Sequence, residues 1–100
     1  MLNAYLQSLT GRIFKILPMK EQMLAGDGVY LDRYLATLSL EMQGASRTFL
    51  ELQENAEYIA LLNTVNGLCE DTPLPFLKRE VFKMLSLVDK LKAEYGGDGV

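Results

Sequence analysis

The chain of 100 residues is 49% hydrophobic, carries a formal net charge of -3, and contains one cysteine and no histidine. A chain of this length fits one domain that buries roughly 60–68% of its unfolded surface, and its hydrophobic content argues against disorder. The acidic balance argues against nucleic-acid binding, since proteins that bind nucleic acids usually carry a basic surface.

The absence of histidine removes several kinds of chemistry. Histidine is the usual general base near neutral pH, the commonest metal ligand and the partner of catalytic serine or cysteine. Cys69 alone forms neither an internal disulfide nor a structural zinc site, and no EF-hand or phosphate-binding glycine motif occurs. We therefore expect no catalysis, no metal and no cofactor.

The location is predicted from the cysteine content and from two missing targeting signals. A single cysteine is typical of a reducing compartment. The N-terminal residues lack the basic and apolar runs of a signal peptide, and no stretch of about 18 apolar residues occurs. The sequence thus predicts a cytoplasmic protein that makes no contact with a membrane.

The first apolar pattern predicts a helix over residues 2–17. Its members recur at alternating spacings of four and three: Leu2, Leu6, Leu9, Ile13 and Ile16. Pro18 ends or kinks this helix, because the residue before a proline is pushed away from helical geometry. Pro18 then opens a short helical piece over residues 19–25, which the glycine-rich turn at 26–28 stops.

The second long pattern predicts a central helix over residues 30–47. Its core stripe is a seven-residue repeat: Leu31, Leu35, Leu38, Met42, Ala45 and Phe49. One flank is polar, but the opposite side carries the small or apolar residues Ala36, Leu40 and Gly44 between two arginines. Apolar character on more than one side indicates that other elements or another chain pack around this helix.

The residues after the central helix predict a turn and a third helix. The turn, residues 48–53, is apolar for a loop and is expected to fold back under the other helices. Asn55, or a residue just before it, is the predicted cap of the third helix, residues 54–68. Its core face is Tyr58, Leu61, Leu62, Val65 and Leu68. Cys69 is interpreted as a small apolar residue at the helix end, since the acids that follow it oppose thiolate formation.

A fourth helix is predicted over residues 73–94, with Thr72 as its cap and Pro73 as its first residue. Its core positions are Leu77, Val81, Met84, Val88, Leu91 and Tyr95. No segment alternates with period two, so the fold class is all-α: a four-helix up-and-down bundle with a short extra helical piece after Pro18. Residues 1–95 form the single domain and residues 96–100 a flexible tail.

Apolar and aromatic residues outside the core stripes are the candidate interface: Tyr30, Tyr34, Leu40, Gly44, Met19 and Met23. Exposed tyrosines one helical turn apart suit a protein–protein contact. A monomer would expose this surface unless the piece after Pro18 folded over it. We therefore expect a homodimer, because two-fold dimers are the commonest oligomers.

Five acids without an intervening basic residue are the candidate acidic docking face: Glu51, Glu54, Glu57, Glu70 and Asp71. The simpler interpretation is a solvated face with favourable charge at a helix N-terminus. The alternative is a docking surface for a basic partner. Basic residues of the fourth helix, such as Lys78, Arg79 and Lys83, balance the charge of these acids within one chain. These basic residues therefore need no nucleic-acid ligand to explain them, and we expect no nucleic-acid binding.

Three stretches, NAYLQSLTGRIFKILPMK, TFLELQENAEYI and KREVFKML, resemble short bacterial proteins of unassigned function that are found in mobile-element or prophage neighbourhoods. The resemblance implies a small accessory or inhibitor protein and no site residues. The first hypothesis is thus a small helical protein–protein interaction module that is homo-oligomeric. The alternative is an inhibitor that blocks a host or competing nucleic-acid enzyme through an acidic surface. A third, an enzyme that uses carboxylates alone, lacks most of the required parts.

Overall fold

The computed structural model describes residues 2–28 and 30–96, and these residues are mostly helical. The α-helices are α1 (Leu2–Phe14), α2 (Ile16–Leu24), α3 (Leu31–Thr48), α4 (Leu50–Gln53), α5 (Ala56–Asn66) and α6 (Leu74–Leu91). A π-helical turn, Lys92–Gly96, continues α6, and the rest of the predicted tail lies outside the described residues. No strand occurs in the described part of the chain, so the predicted all-α class is confirmed.

Helix α1 ends three residues earlier than the sequence analysis predicted, and Pro18 lies inside α2 rather than before it. A proline ring clashes with the carbonyl group four residues earlier, here that of Phe14, the last residue of α1. Because α2 begins at Ile16, the missing proline N–H falls in the first turn, where no intrahelical bond would use it. Lys15 keeps helical angles of φ -71° and ψ -17°, so the chain bends here without a loop.

The sequence predicts Thr72 as the cap of α6, and this prediction is wrong. The residue at the cap position is Pro73. The Thr72 hydroxyl accepts a hydrogen bond from the Cys69 N–H at 3.0 Å, and the Thr72 N–H donates to the Cys69 carbonyl oxygen at 3.1 Å. These two bonds close a turn between α5 and α6, and no side chain forms a capping hydrogen bond with α6. Cys69 itself lies in this turn, exposed, and not at a helix end.

The predicted cap of α5 is confirmed. The Asn55 side-chain oxygen accepts a hydrogen bond from the Tyr58 N–H at 3.0 Å. The Asn55 side-chain nitrogen also donates to Glu94 Oε1 and to the Tyr95 hydroxyl, each at 3.0 Å. One side chain therefore begins α5 and holds the turn after α6 beside it.

One apolar core lies between the long helices, and the predicted stripes supply most of it. Its fully buried large side chains are Tyr58, Leu6, Leu9, Ile13, Ile16, Leu31, Met42, Leu52, Leu61, Leu77, Met84 and Leu91. Leu38 and Val81 are buried, as expected, whereas Leu62 and Tyr95 are only half-buried. None of the helices within the described residues has the length and apolar content needed to cross a bilayer.

Helix α6 packs against α1, α2 and α5, while α3 packs against α2, α4 and α5. The expectation that the segment after α3 folds back under the bundle holds for Leu52, which is buried. It is wrong for Leu50, which is 71% exposed on the one-turn helix α4. The chain leaves α3 through Phe49, which has an extended conformation. In the short helix α4 that follows, Leu52 faces the core and Leu50 faces outward.

Candidate interaction surface

Helix α3 has an apolar residue on its outward face. Its buried apolar residues recur every three or four positions, so residues on the opposite side of the helix face away from the core. Leu40 lies on that side and is 67% exposed, whereas Leu38, two positions earlier, is 2% exposed. A leucine this exposed in the middle of a long helix marks a candidate contact.

A groove of about 460 Å³ lies beside α3, where α2 packs against it. Its lining is Met19, Tyr30, Arg33, Tyr34 and Thr37. Tyr30 is 68% exposed, and the Arg33 guanidinium carbon lies 5.7 Å from the centre of its ring. This distance is within the range of a cation–π interaction. The groove thus combines an apolar surface with a positive charge at its rim.

Tyr34 connects this groove to α1. Its hydroxyl donates a hydrogen bond to the Arg12 carbonyl oxygen at 2.7 Å. Burial raises the pKa of Tyr34 above its ordinary value of 10.0, and the charge of Arg12 opposes part of that rise in pKa. Because the hydroxyl is already bonded within the chain, a partner in the groove would meet the ring of Tyr34.

A smaller groove of about 170 Å³ shares Tyr34 and Thr37 with the first one. Its other charged lining residues are Arg12, Lys15 and Glu41, and Arg12 forms an ion pair with Glu41. We call the two together the basic groove: Arg12, Lys15, Met19, Tyr30, Arg33, Tyr34, Thr37, Leu38 and Glu41. Three basic residues and one acid line it, although the whole chain is acidic.

The structure brings three of the six predicted interface residues together in one groove. Met19, Tyr30 and Tyr34 line the basic groove, and Leu40 lies on the outward face of α3. Gly44 is half-buried, and a Cβ atom added there would meet no atom within 4 Å, so the helix backbone is open at this point. Met23 is half-buried against the core and is not part of the groove lining.

The predicted acidic docking face is not one surface. Glu51 lies on α4, Glu54 directly follows it and Glu57 lies at the start of α5, whereas Glu70 and Asp71 follow the end of α5. A helix of 11 residues is about 16 Å long, so α5 separates the two groups. Only the first group is available as a cluster.

Glu70 is part of a structural contact that the sequence analysis missed. Its N–H donates to Asp32 Oδ1 at 2.7 Å, and the Asp32 N–H donates in return to Glu70 Oε2 at 3.0 Å. The buried Lys20 ammonium group donates to the Glu70 carbonyl oxygen. These partners are 38 and 50 positions apart, so no local sequence pattern could have indicated them.

The acids around α4 remain free of ion pairs within the described part of the chain, where the ion pairs are Arg12–Glu41 and Lys83–Glu80. Glu51 and Glu54 are exposed and Glu57 is half-buried. The exposed Leu50 directly precedes them. We call Leu50, Glu51, Glu54 and Glu57 the acidic α4 segment.

A third groove of about 540 Å³ lies between α3 and the end of α5, with Leu40 and Cys69 among its lining residues. Ser39 Oγ donates a hydrogen bond to Asn66 Oδ1 across it at 2.5 Å. Within residues 2–28 and 30–96, no three cysteine, aspartate or glutamate side chains form a group that could hold a metal ion.

Comparison with protein-family models, with curated proteins and with solved structures finds no match to this chain. The exposed residues of α3, the basic groove and the acidic α4 segment are therefore the basis for a functional proposal.

Proposed function

We propose that this protein is a small interaction module that acts in the cytoplasm by protein–protein contact, self-associates as a homodimer and performs no catalysis. The observation that carries the proposal is the exposure of Leu40 on the outward face of α3 and of Tyr30 directly before that helix. Large contiguous apolar surfaces on soluble domains usually mark contacts. A two-fold dimer covers such a surface on both subunits with one contact.

The competing explanation is that α2 covers the far side of α3 within one chain. Helix α2 does pack against α3. Tyr30 and Leu40 nevertheless remain about two-thirds exposed, at 68% and 67%. Helix α2 therefore buries only part of the outward side of α3, which supports burial of the rest by a second protein chain.

The proposal includes an up-and-down order for α1, α3, α5 and α6. Four polar contacts support it: Tyr34 with Arg12, Ser39 with Asn66, Tyr58 with Met42, and Asn55 with Tyr95. Ser39 of α3 contacts Asn66 at the end of α5, whereas Met42, later in α3, contacts Tyr58 near the start of α5. This reversed order is that of two antiparallel helices. Short connections between successive helices favour the same order.

A second candidate function is inhibition of a nucleic-acid enzyme through an acidic surface, in keeping with a mobile-element origin. The observation that favours it is the cluster of carboxylates around α4, which has no ion-pair partners in the described residues. Affinity purification from the native host followed by mass spectrometry separates the two functions. Inhibition predicts recovery of a nucleic-acid enzyme, and the first proposal predicts recovery of this chain with a differently tagged copy of itself.

Light scattering at micromolar concentration tests the homodimer. We expect a mass near twice 11.2 kDa for the wild type and a lower mass for Leu40→Glu at unchanged helicity by circular dichroism. Phe82→Glu is the matched control, because Phe82 is also exposed but lies on α6. A wild-type mass of 11.2 kDa that does not change with concentration would contradict the proposal.

A further inference from the structure

We propose that in this dimer the acidic α4 segment of each protomer docks into the basic groove of the other. The inference rests on the proposed function, since it names the parts of the second copy that make the contact. Three properties of the acidic α4 segment favour it as the ligand of the groove: its charge, its exposed leucine and its position relative to α3.

The basic groove has unbalanced positive charge. Arg12 is paired with Glu41, but within the described residues neither Lys15 nor Arg33 has a carboxylate in ion-pair contact. Both side chains are exposed. A ligand that brings two carboxylates to this rim would therefore gain favourable electrostatic energy.

The acidic α4 segment has the complementary features. Glu51 and Glu54 are exposed and unpaired in the described part of the chain. Leu50 offers an exposed apolar side chain immediately before them. The groove surface formed by Met19 and the ring of Tyr34 is apolar, so Leu50 would bury against it while the glutamates face Lys15 and Arg33.

The positions of these parts along α3 suit a two-fold axis. Tyr30 directly precedes α3, Leu50 follows it after one residue, and Leu40 lies midway between them. From Leu40, the helical part of α3 extends about 12–14 Å in each direction, to Leu31 and to Thr48. When two copies of α3 run antiparallel and cross at Leu40, Tyr30 of one protomer comes level with Leu50 of its partner, and the contact occurs twice.

The same register brings Arg47 level with Arg33 of the partner, because both lie seven positions from Leu40. This pair of like charges would weaken the dimer unless carboxylates lie beside it. Glu51 and Glu54 follow Arg47 in the chain and would supply them. In this register, the acidic α4 segment would therefore offset the repulsion between Arg47 and Arg33 of the two protomers.

A charge exchange tests the inference. One variant carries Glu51→Lys and Glu54→Lys, and a second carries Lys15→Glu and Arg33→Glu; all four positions are exposed. Each variant alone should dimerise at least tenfold more weakly than the wild type, because its contacts then join like charges. An equimolar mixture should recover dimers that contain one chain of each kind, since both contacts in that pair are complementary.

Native mass spectrometry of chains with distinct masses measures the exchange, and circular dichroism checks that each variant is folded. The control is Lys78→Glu with Lys90→Glu, which makes the same charge change as the second variant, on exposed positions of α6, and should leave the dimer unchanged. For the wild type, raising salt from about 0.05 M to about 0.5 M should weaken the dimer, because salt screens exposed charges.

The outcomes separate this inference from the proposed function. A monomeric wild type overturns the homodimer and the inference together. A wild-type dimer that salt and both charge variants leave unchanged overturns only the inference. Two variants that are each weakened but form no mixed dimer show that the segments do not contact each other, which also overturns it. Recovery of the mixed dimer supports both.

Discussion

Lys20, a residue that is only 4% exposed, donates a hydrogen bond from its ammonium group to the backbone carbonyl oxygen of Glu70. Lysine is almost never buried to this extent without a partner. The bond joins α2 to the connection between α5 and α6, and Asp32 fixes the same connection from the start of α3. Lys20 is therefore part of the framework that holds three segments together.

Replacing Lys20 with methionine should lower the free energy of unfolding by about 1–3 kcal/mol, because the charge-assisted hydrogen bond is lost and the Glu70 carbonyl loses its donor. Methionine keeps much of the side-chain shape. Urea unfolding followed by circular dichroism measures the change. Lys78→Met, on the exposed side of α6, is the control and should change stability by less than about 0.5 kcal/mol.

The hydroxyl of Tyr58 should also contribute to stability. It donates to the Met42 carbonyl oxygen at 2.6 Å and lies 2.9 Å from the hydroxyl of Tyr5. Tyr58→Phe leaves both groups without this partner and should cost about 1–3 kcal/mol. Thermal and urea unfolding should show no such loss for Tyr30→Phe, because Tyr30 is exposed. Equal effects of the two substitutions would contradict the role of the buried hydroxyl.

The two tyrosines predict a loss of stability in alkaline solution. Burial raises the pKa of Tyr58 and that of Tyr5 above the ordinary value of 10.0; the hydrogen bond to Tyr5 raises the Tyr58 pKa further. The unfolded chain releases these protons above about pH 10, while the folded chain keeps them. The unfolded state then binds fewer protons, so stability falls as pH rises through this range.

Urea unfolding at about pH 9 and about pH 11 measures this dependence. The double variant Tyr5→Phe/Tyr58→Phe is less stable at the outset but should lose less of its remaining stability between the two pH values. If the free energy of unfolding of the double variant fell as much between the two pH values as that of the wild type, other groups would cause the alkaline loss of stability.

Leu38 and Leu24 should respond very differently to truncation. Leu38→Ala removes a buried side chain from the core face of α3 and should cost about 2–5 kcal/mol. Leu24→Ala changes an exposed side chain at the end of α2 and should stay within about 0.5 kcal/mol. Urea unfolding of both variants compares them directly. A loss below about 0.5 kcal/mol at Leu38 would contradict the assigned core face.

Two glycines should give effects of opposite sign when replaced with alanine. Gly26 has φ +84°, which disfavours a side chain although no atom lies within 4 Å of an added Cβ. Gly26→Ala should therefore destabilise by about 1–2 kcal/mol. Gly11 lies inside α1 with open space around it, so Gly11→Ala should stabilise by about 0.5–1 kcal/mol. Thermal unfolding of the two variants measures both changes.

The apolar repeats predicted the long helices and nearly all of the core, because helix periodicity is local and burial follows it. The end of α1 was misplaced, since the ring of Pro18 acts on a carbonyl four residues back rather than on its direct neighbour. Thr72 was assigned as a cap from its place before a proline, but its hydroxyl bonds to Cys69 instead.

The candidate surface was predictable only in part. Tyr30 and Leu40 could be selected because they fall outside the core stripe of α3. The basic groove could not, since it combines residues of α1, α2 and α3 whose relation depends on packing. The separation of Glu70 from Glu51 was within reach of the sequence, because the predicted third helix, residues 54–68, already lies between the two acids.

The packing of α6 against α1, α2 and α5 has a consequence for synthesis on the ribosome. The residues of α6 are translated after those of the three helices that it covers. Until α6 has left the exit tunnel, the apolar faces of these helices lack a main partner, and Leu6, Ile13 and Leu61 are open to chaperones or to neighbouring nascent chains. Folding of this domain is therefore expected to be completed after translation of α6, and not helix by helix as the chain emerges.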